Sequence, residues 1–140
     1  MEPIKFHSTS PKKVNLAVKD IARRMEIKAD EALLLKVHQP KDFDPEPQNC
    51  FFNVWVQMNY EGGGRQHGWL IAQDCAKDFI EAQFHAVWVS TDGKFVDVTP
   101  RIDGEKRAMF IPDYAREICL SNLNGRPAIL TYDNFRVFQG

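Results

Sequence analysis

Three consecutive glycines, Gly62-Gly63-Gly64, divide the chain into stretches of different hydrophobic period. A helix does not usefully continue through such a run, since each glycine costs about 1 kcal/mol against alanine in a helix interior. Before the run, Asn49 is able to cap a helix that opens at Cys50 and carries Phe51, Val54, Trp55 and Met58 toward a core. After it the period falls to two. Strands are expected over about 67–73, 80–90 and 94–99, with a helical turn at about 75–79. A helix followed by hairpin-forming strands restricts the chain to an α+β architecture with an antiparallel sheet.

The flanks fit around that frame. Ser10-Pro11 reads as a helix start, and Val14, Val18, Ile21 and Met25 recur at helical spacing, so a helix is expected over about 11–26. Ala32 to Val37 is ambiguous between helix and strand, and Pro40 to Pro47 reads as a loop. Beyond Pro100 the chain looks charged and irregular through Asp103-Gly104-Glu105-Lys106-Arg107. Pro112-Asp113-Tyr114 then starts a short helix toward Cys119, and Ala128 to Phe138 is a last strand with Asn134 as its interruption. At 140 residues there is room for one core and not for two, so one domain is expected over 1–140.

Eighteen basic against 19 acidic side chains give no general electrostatic case for a nucleic-acid or membrane partner. Cys50, Cys75 and Cys119 are an odd set at wide spacing, which favours a reducing compartment over a disulfide framework. Met1 to Phe6 holds no apolar run of signal-peptide length, and no stretch reaches membrane-spanning length. The expectation is a soluble cytoplasmic protein.

Chemistry concentrates in three residues. A cysteine at a helix amino terminus faces unpaired N–H groups and the positive end of the helix dipole. Both favour thiolate, the nucleophilic form. Cys50 has that position; Cys75 and Cys119 open no comparable helix and read as ordinary cysteines. His85 lies in the alternating run Glu81 to Val89, on one face with Gln83 and Val87. Asp97 interrupts the apolar strand Lys94 to Thr99, and a buried carboxylate is costly unless it is paired.

Whether His85 and Asp97 meet depends on the turn between their strands. A two-residue Asp92-Gly93 loop pairs Thr91 with Lys94 and puts them on opposite faces. A three-residue loop, Thr91-Asp92-Gly93, pairs Ser90 with Lys94 and sets Asp97 opposite Val87, diagonal to His85 on the same face. The sequence permits both, and only the longer loop lets Asp97 orient an imidazole that serves Cys50 as base.

The segments Asn49-Cys50-Phe51-Phe52-Asn53, His85-Ala86-Val87-Trp88, Asp92-Gly93 and Asp97-Val98-Thr99-Pro100 resemble the transglutaminase-like branch of the papain-like superfamily. That branch includes microbial transglutaminase-core hydrolases and is similar in layout to the arylamine N-acetyltransferases. The resemblance covers about residues 49–100. It implies a papain-like core, a helix opening with the nucleophilic cysteine on an antiparallel sheet, with Cys50, His85 and Asp97 as catalytic triad. There are departures. Gln48-Asn49 stand where a glycine often precedes the cysteine, and the aromatic after His-Ala comes one residue late, at Trp88. No Arg-Gly-Gly run precedes Cys50, which speaks against the acetyltransferase version.

The expected activity is a thiol-dependent amide or acyl hydrolase or acyltransferase working through a thioester, without cofactor or metal. Its substrate is a peptide, a protein or a small amide, with peptide or protein favoured by the small size of the chain. For the oxyanion the backbone N–H of Cys50 is the first choice and Gln48 the second; Gln83, on the His85 face, is a further candidate, and Trp69 is a candidate for lining a substrate groove. The rival is a catalytically inactive module on the same fold that binds protein. Gly62-Gly63-Gly64-Arg65-Gln66-His67-Gly68 lacks the Gly-Lys-Ser/Thr ending of a phosphate loop and reads as a hinge or loop over the active site. No Cys-x-x-Cys or His-x-x-x-His pair anchors a zinc site on Cys50, Cys75, His67 and His85. Trp55, Trp69 and Trp88 otherwise read as core, and Lys12, Lys13, Arg23 and Arg24 as a solvated face.

Overall fold

The computed structural model describes residues 8–101 and 105–138. The amino-terminal segment read above for a leader, and Asp103-Gly104 of the charged stretch, lie outside the described residues. In chain order the elements are helix α1 (Leu16–Met25), a 3-10 turn (Ala29–Glu31), strand β1 (Leu33–Lys36), helix α2 (Cys50–Glu61), strand β2 (Gly64–Asp74) and a second 3-10 turn (Cys75–Lys77). Strands β3 (Phe79–Val89), β4 (Phe95–Val96), β5 (Arg107–Pro112), β6 (Cys119–Leu123), β7 (Arg126–Leu130) and β8 (Phe135–Phe138) follow. The fold is α+β, with two helices and an antiparallel six-stranded sheet ordered β1-β5-β2-β3-β4, in which β8 also pairs with β3.

Four expectations need correction. The first helix starts at Leu16, five residues after Pro11, because Asn15 and not Ser10 caps it: the Asn15 side chain accepts from Val18 N–H. Ser10 instead accepts from the Met109 N–H at 2.7 Å, while Thr9 bridges to Gln73, so this arm runs against the sheet. The segment read as irregular ends in β5, which lies inside the sheet between β1 and β2. Among the described residues no helix follows Pro112, and the expected last strand is divided into β7 and β8, preceded by β6. The stretch Ala32 to Val37 resolves as strand β1.

The sheet curls until its two ends meet: Val37, just past β1, bridges to Asp97, just past β4, and His38 N–H donates to the Asp97 carbonyl at 2.8 Å. Leu70, Val87, Ala108 and Phe110 fill the inner side, with Leu35 and Phe95 packed against them. The outer side takes the helices. Val18, Ile21, Ala22 and Met25 of α1 cover Trp69, Ile71, Ile80 and Ala82, while Val54 of α2 sits on Ala86, Trp88 and Val98.

Helix α2 spans the expected residues, and Phe51, Val54 and Met58 lie in or against the core as expected. Its buried side chains are Cys50, Asn53, Val54 and Gln57, whereas Trp55, expected in the core, is 58% exposed. Asn49 occupies the N-cap position without capping; its side chain donates to Glu46. The glycine run ends α2 and enters β2 directly, packing near Trp88, Val89 and Thr91. It forms no loop over the candidate site.

Candidate active site

The turn after β3 decides the geometry. Ser90 N–H donates to the Lys94 carbonyl at 2.9 Å and Gly93 N–H to the Ser90 carbonyl at 2.8 Å, so the loop is the three-residue Thr91-Asp92-Gly93. Gly93 takes φ +85°, the left-handed conformation that this closure requires. The pairs Trp88–Val96 and Val89–Phe95 continue the register and bring Asp97 opposite Val87. Asp97 and His85 then share the inner face, and their side chains meet: His85 Nε2 lies 3.1 Å from Asp97 Oδ1.

Both partners are buried, Asp97 to 1% exposure and His85 to 7%. Asp97 Oδ1 also accepts from Thr99 N–H at 3.2 Å, which helps to satisfy the carboxylate away from water. Burial by itself works against charge on His85, but hydrogen bonds to Asp97 and then to Cys50 outweigh it and raise its pKa to about 9. Nε2 is taken by Asp97, so Nδ1 is the ring nitrogen left for another partner. Phe110 packs edge-on against the imidazole with ring centres 6.4 Å apart. It can do so because it crosses Gly68, the β2 residue paired with His85; a Cβ there would stand 2.5 Å from the Phe110 ring.

Cys50 reaches His85 around the edge of β3. Cys50 packs with Val54, Ala86 and Trp88 on the helix side of the sheet, while His85 points to the inner side. The two faces communicate here because β4 covers β3 only at Trp88 and Val89, and β8 covers it only from Phe79 to Ala82. The first N–H groups of α2 receive no side-chain cap, so they are available to negative charge beside the thiol. Gln48, two residues earlier, holds a left-handed φ of 60°, an uncommon conformation for a residue other than glycine.

An open cleft of about 580 Å³ collects these groups. Gln48, Cys50, Gln83, His85 and Asp97 all line it, together with Arg101. Gln83 is held by its amide, which donates to Glu81 at 2.7 Å, and Glu81 is in turn paired with Arg136 of β8. Trp69 does not line this cleft. It is 2% exposed on the helix side, where its indole N–H donates to Asp113 at 2.9 Å.

Sequence reasoning missed Asn53 and Thr99. Asn53, 1% exposed, accepts from Glu46 N–H at 3.0 Å and donates both to the Glu46 carbonyl at 2.7 Å and to Thr99 Oγ1 at 3.1 Å. One amide thus ties the first turn of α2 to the loop before Cys50 and to the strand end that carries Asp97. The available signal was a polar residue one helical turn after the cysteine, on the buried stripe.

His67 provides an internal contrast. It is buried, its Nε2 has no hydrogen-bond partner among the described residues, and burial followed by the nearby Arg65 lowers its pKa. Its ring stacks on Phe84, centres 5.7 Å apart, and lies 5.8 Å from Phe51, so it packs beneath the residues next to Cys50 and His85. Among the described residues, no group of His, Cys, Asp and Glu could hold a metal ion. Nor is any helix among them long and apolar enough to cross a membrane. No family model matches this chain, and neither a curated protein nor a solved structure matches it significantly.

Proposed function

We propose that this protein is a thiol enzyme of papain-like or transglutaminase-like core that transfers or hydrolyses an acyl group from an amide. The observation that carries the reading is the buried His85–Asp97 pair beside a thiol at a helix amino terminus, in one open cleft. A scaffold has no evident need for an aspartate that is 1% exposed at that position, since such burial is tolerated only with partners.

In this reading His85 holds the proton of Cys50, and the thiolate attacks the substrate carbonyl. Negative charge then develops on the carbonyl oxygen, where the N–H of Cys50 and the amide of Gln48 are the candidate donors. His85 gives its proton to the departing amine, which leaves a thioester on Cys50. It next takes a proton from water or an acceptor amine as that group attacks the thioester. Asp97 keeps the ring oriented and the imidazolium stable throughout.

The test is acyl capture. Profiling with acyl-type thiol probes and amide libraries, read by intact mass, is expected to give a covalent adduct at Cys50 and turnover that disappears in Cys50→Ala. A folded Cys50→Ala variant that keeps wild-type function would transfer the assignment to the rival, a binding module.

A further inference from the structure

Strand β3 is covered unevenly on its outer edge. Its other edge is paired with β2 along the whole length from Phe79 to Val89, without a bulge. On the outer edge β8 stops at Ala82 and β4 reaches only to Trp88; among the described residues no strand pairs with β3 between them. Backbone direction alternates along a strand, so every second residue turns its N–H and C=O outward. Ser90 marks the parity, because its N–H donates across to Lys94. By that parity the outward residues in the gap are Phe84 and Ala86. Ala86 packs against Val98 and the underside of α2, whereas Phe84 lines the cleft beside His85 and Cys50.

We infer that the substrate is an extended peptide whose backbone joins this edge, pairing one residue with Phe84. In an antiparallel hydrogen-bonded pair the two residues exchange both bonds. The peptide residue donates its N–H to the Phe84 carbonyl and accepts from the Phe84 N–H, adding a short strand between β8 and β4. The flanking strands limit the pairing to about one residue, at the ~3.3 Å per residue of a strand. Recognition therefore rests on one backbone position close to the reacting carbonyl, and a small amide without a flanking peptide unit lacks the contact. This inference rests on the thiol reading above.

The experiment uses peptidyl acyloxymethyl ketones built from mixtures of side chains, so that side-chain preference does not enter. Each probe forms a C–S bond to Cys50 as its carboxylate leaves. Second-order rates of adduct formation, followed by intact mass, are compared for the parent mixture, for mixtures N-methylated at one amide each, and for iodoacetamide. N-methylation at a single position is expected to slow labelling about tenfold or more, since it removes a hydrogen bond and adds a clash, while other positions change little. Equal rates for all N-methyl positions, or a peptide mixture no faster than the same warhead on a simple acyl group, would overturn the peptide-edge inference. A stable dimer in sedimentation together with such indifference would assign the edge to a second copy, and also overturn it. Iodoacetamide separates the two levels: no labelling of Cys50 in folded protein defeats the thiol reading itself, whereas fast labelling without backbone discrimination defeats only this inference.

Discussion

The charge on His85 can be measured directly, and it tests the central pair. Its pKa is raised from 6.5 to about 9, although burial pulls the other way. At about 1.4 kcal/mol per pH unit, that difference is a net preference for imidazolium of roughly 3 kcal/mol. The hydrogen bond to Asp97 is the largest favourable contribution. Asp97→Asn preserves shape but removes the negative charge, leaving burial opposed mainly by Cys50. The His85 pKa should then fall by on the order of two units or more, given shifts of 1–3 units for a close opposite charge. The assay is a ring-nitrogen NMR titration from pH 5.5 to 10, with His85→Gln to assign the signal among the four histidines. His67 serves as control, since its pKa is lowered and it should stay neutral where His85 is charged. The same proton is needed by the leaving group, so acyl transfer should decline as pH rises through about 9. A wild-type His85 that titrates at or below 6.5 in folded protein would refute the reasoning, whatever activity is found.

Further outcomes follow from individual contacts. At near-neutral pH iodoacetamide should label Cys50 well before the exposed Cys75, although Cys50 is only 8% exposed; peptide mapping gives the ratio. Asn53→Ala should cost about 1–3 kcal/mol in urea unfolding by stranding the Glu46 backbone and Thr99, and should lower acyl transfer as α2 loses its tie to the Asp97 strand. Gly68→Ala should cost about 1–3 kcal/mol by overpacking, because the new Cβ meets the Ile111 carbonyl at 2.4 Å and the Phe110 ring at 2.5 Å; thermal unfolding and His85 line shapes report both effects.

The fold was legible where polar and apolar residues alternate along an element, and illegible where they do not. Strands β2 and β3 alternate visibly, and the glycine run marks the end of α2. Strand β5 does not alternate, because Ala108 and Phe110 fill the inner side of the sheet while Met109 and Ile111 pack under α1. A short run buried on both faces carries no period of two, and its charged approach disguised it further. The start of α1 was misread for a different reason: two cap signals compete, and Ser10 is drawn off by a contact with Met109, 99 residues away. Long-range competition of that kind leaves no local trace.

The site was legible through cost. An aspartate in an apolar strand demanded a partner, and the turn chemistry at Gly93 supplied the register that delivers one. What stayed hidden was the polar side of α2. Reading only apolar residues as inward put Trp55 in the core with Val54 and Met58, when the buried stripe leaves Trp55 out and runs through Asn53 and Gln57. Asn53 is inward because it ties the helix to the loop before Cys50 and to Thr99 at the strand end, whereas Gln57 donates within the helix, to Glu61. The same logic explains the gap in β3. Cys50 approaches from the helix side and His85 from the inner side, and the thiol acts on the imidazole across a strand edge. A continuous neighbour strand at Phe84 would stand between them. The gap in strand pairing and the approach of thiol to imidazole are therefore one feature: the sheet is left incomplete where the two faces have to meet, and Phe84, in that gap, lines the same cleft as Cys50.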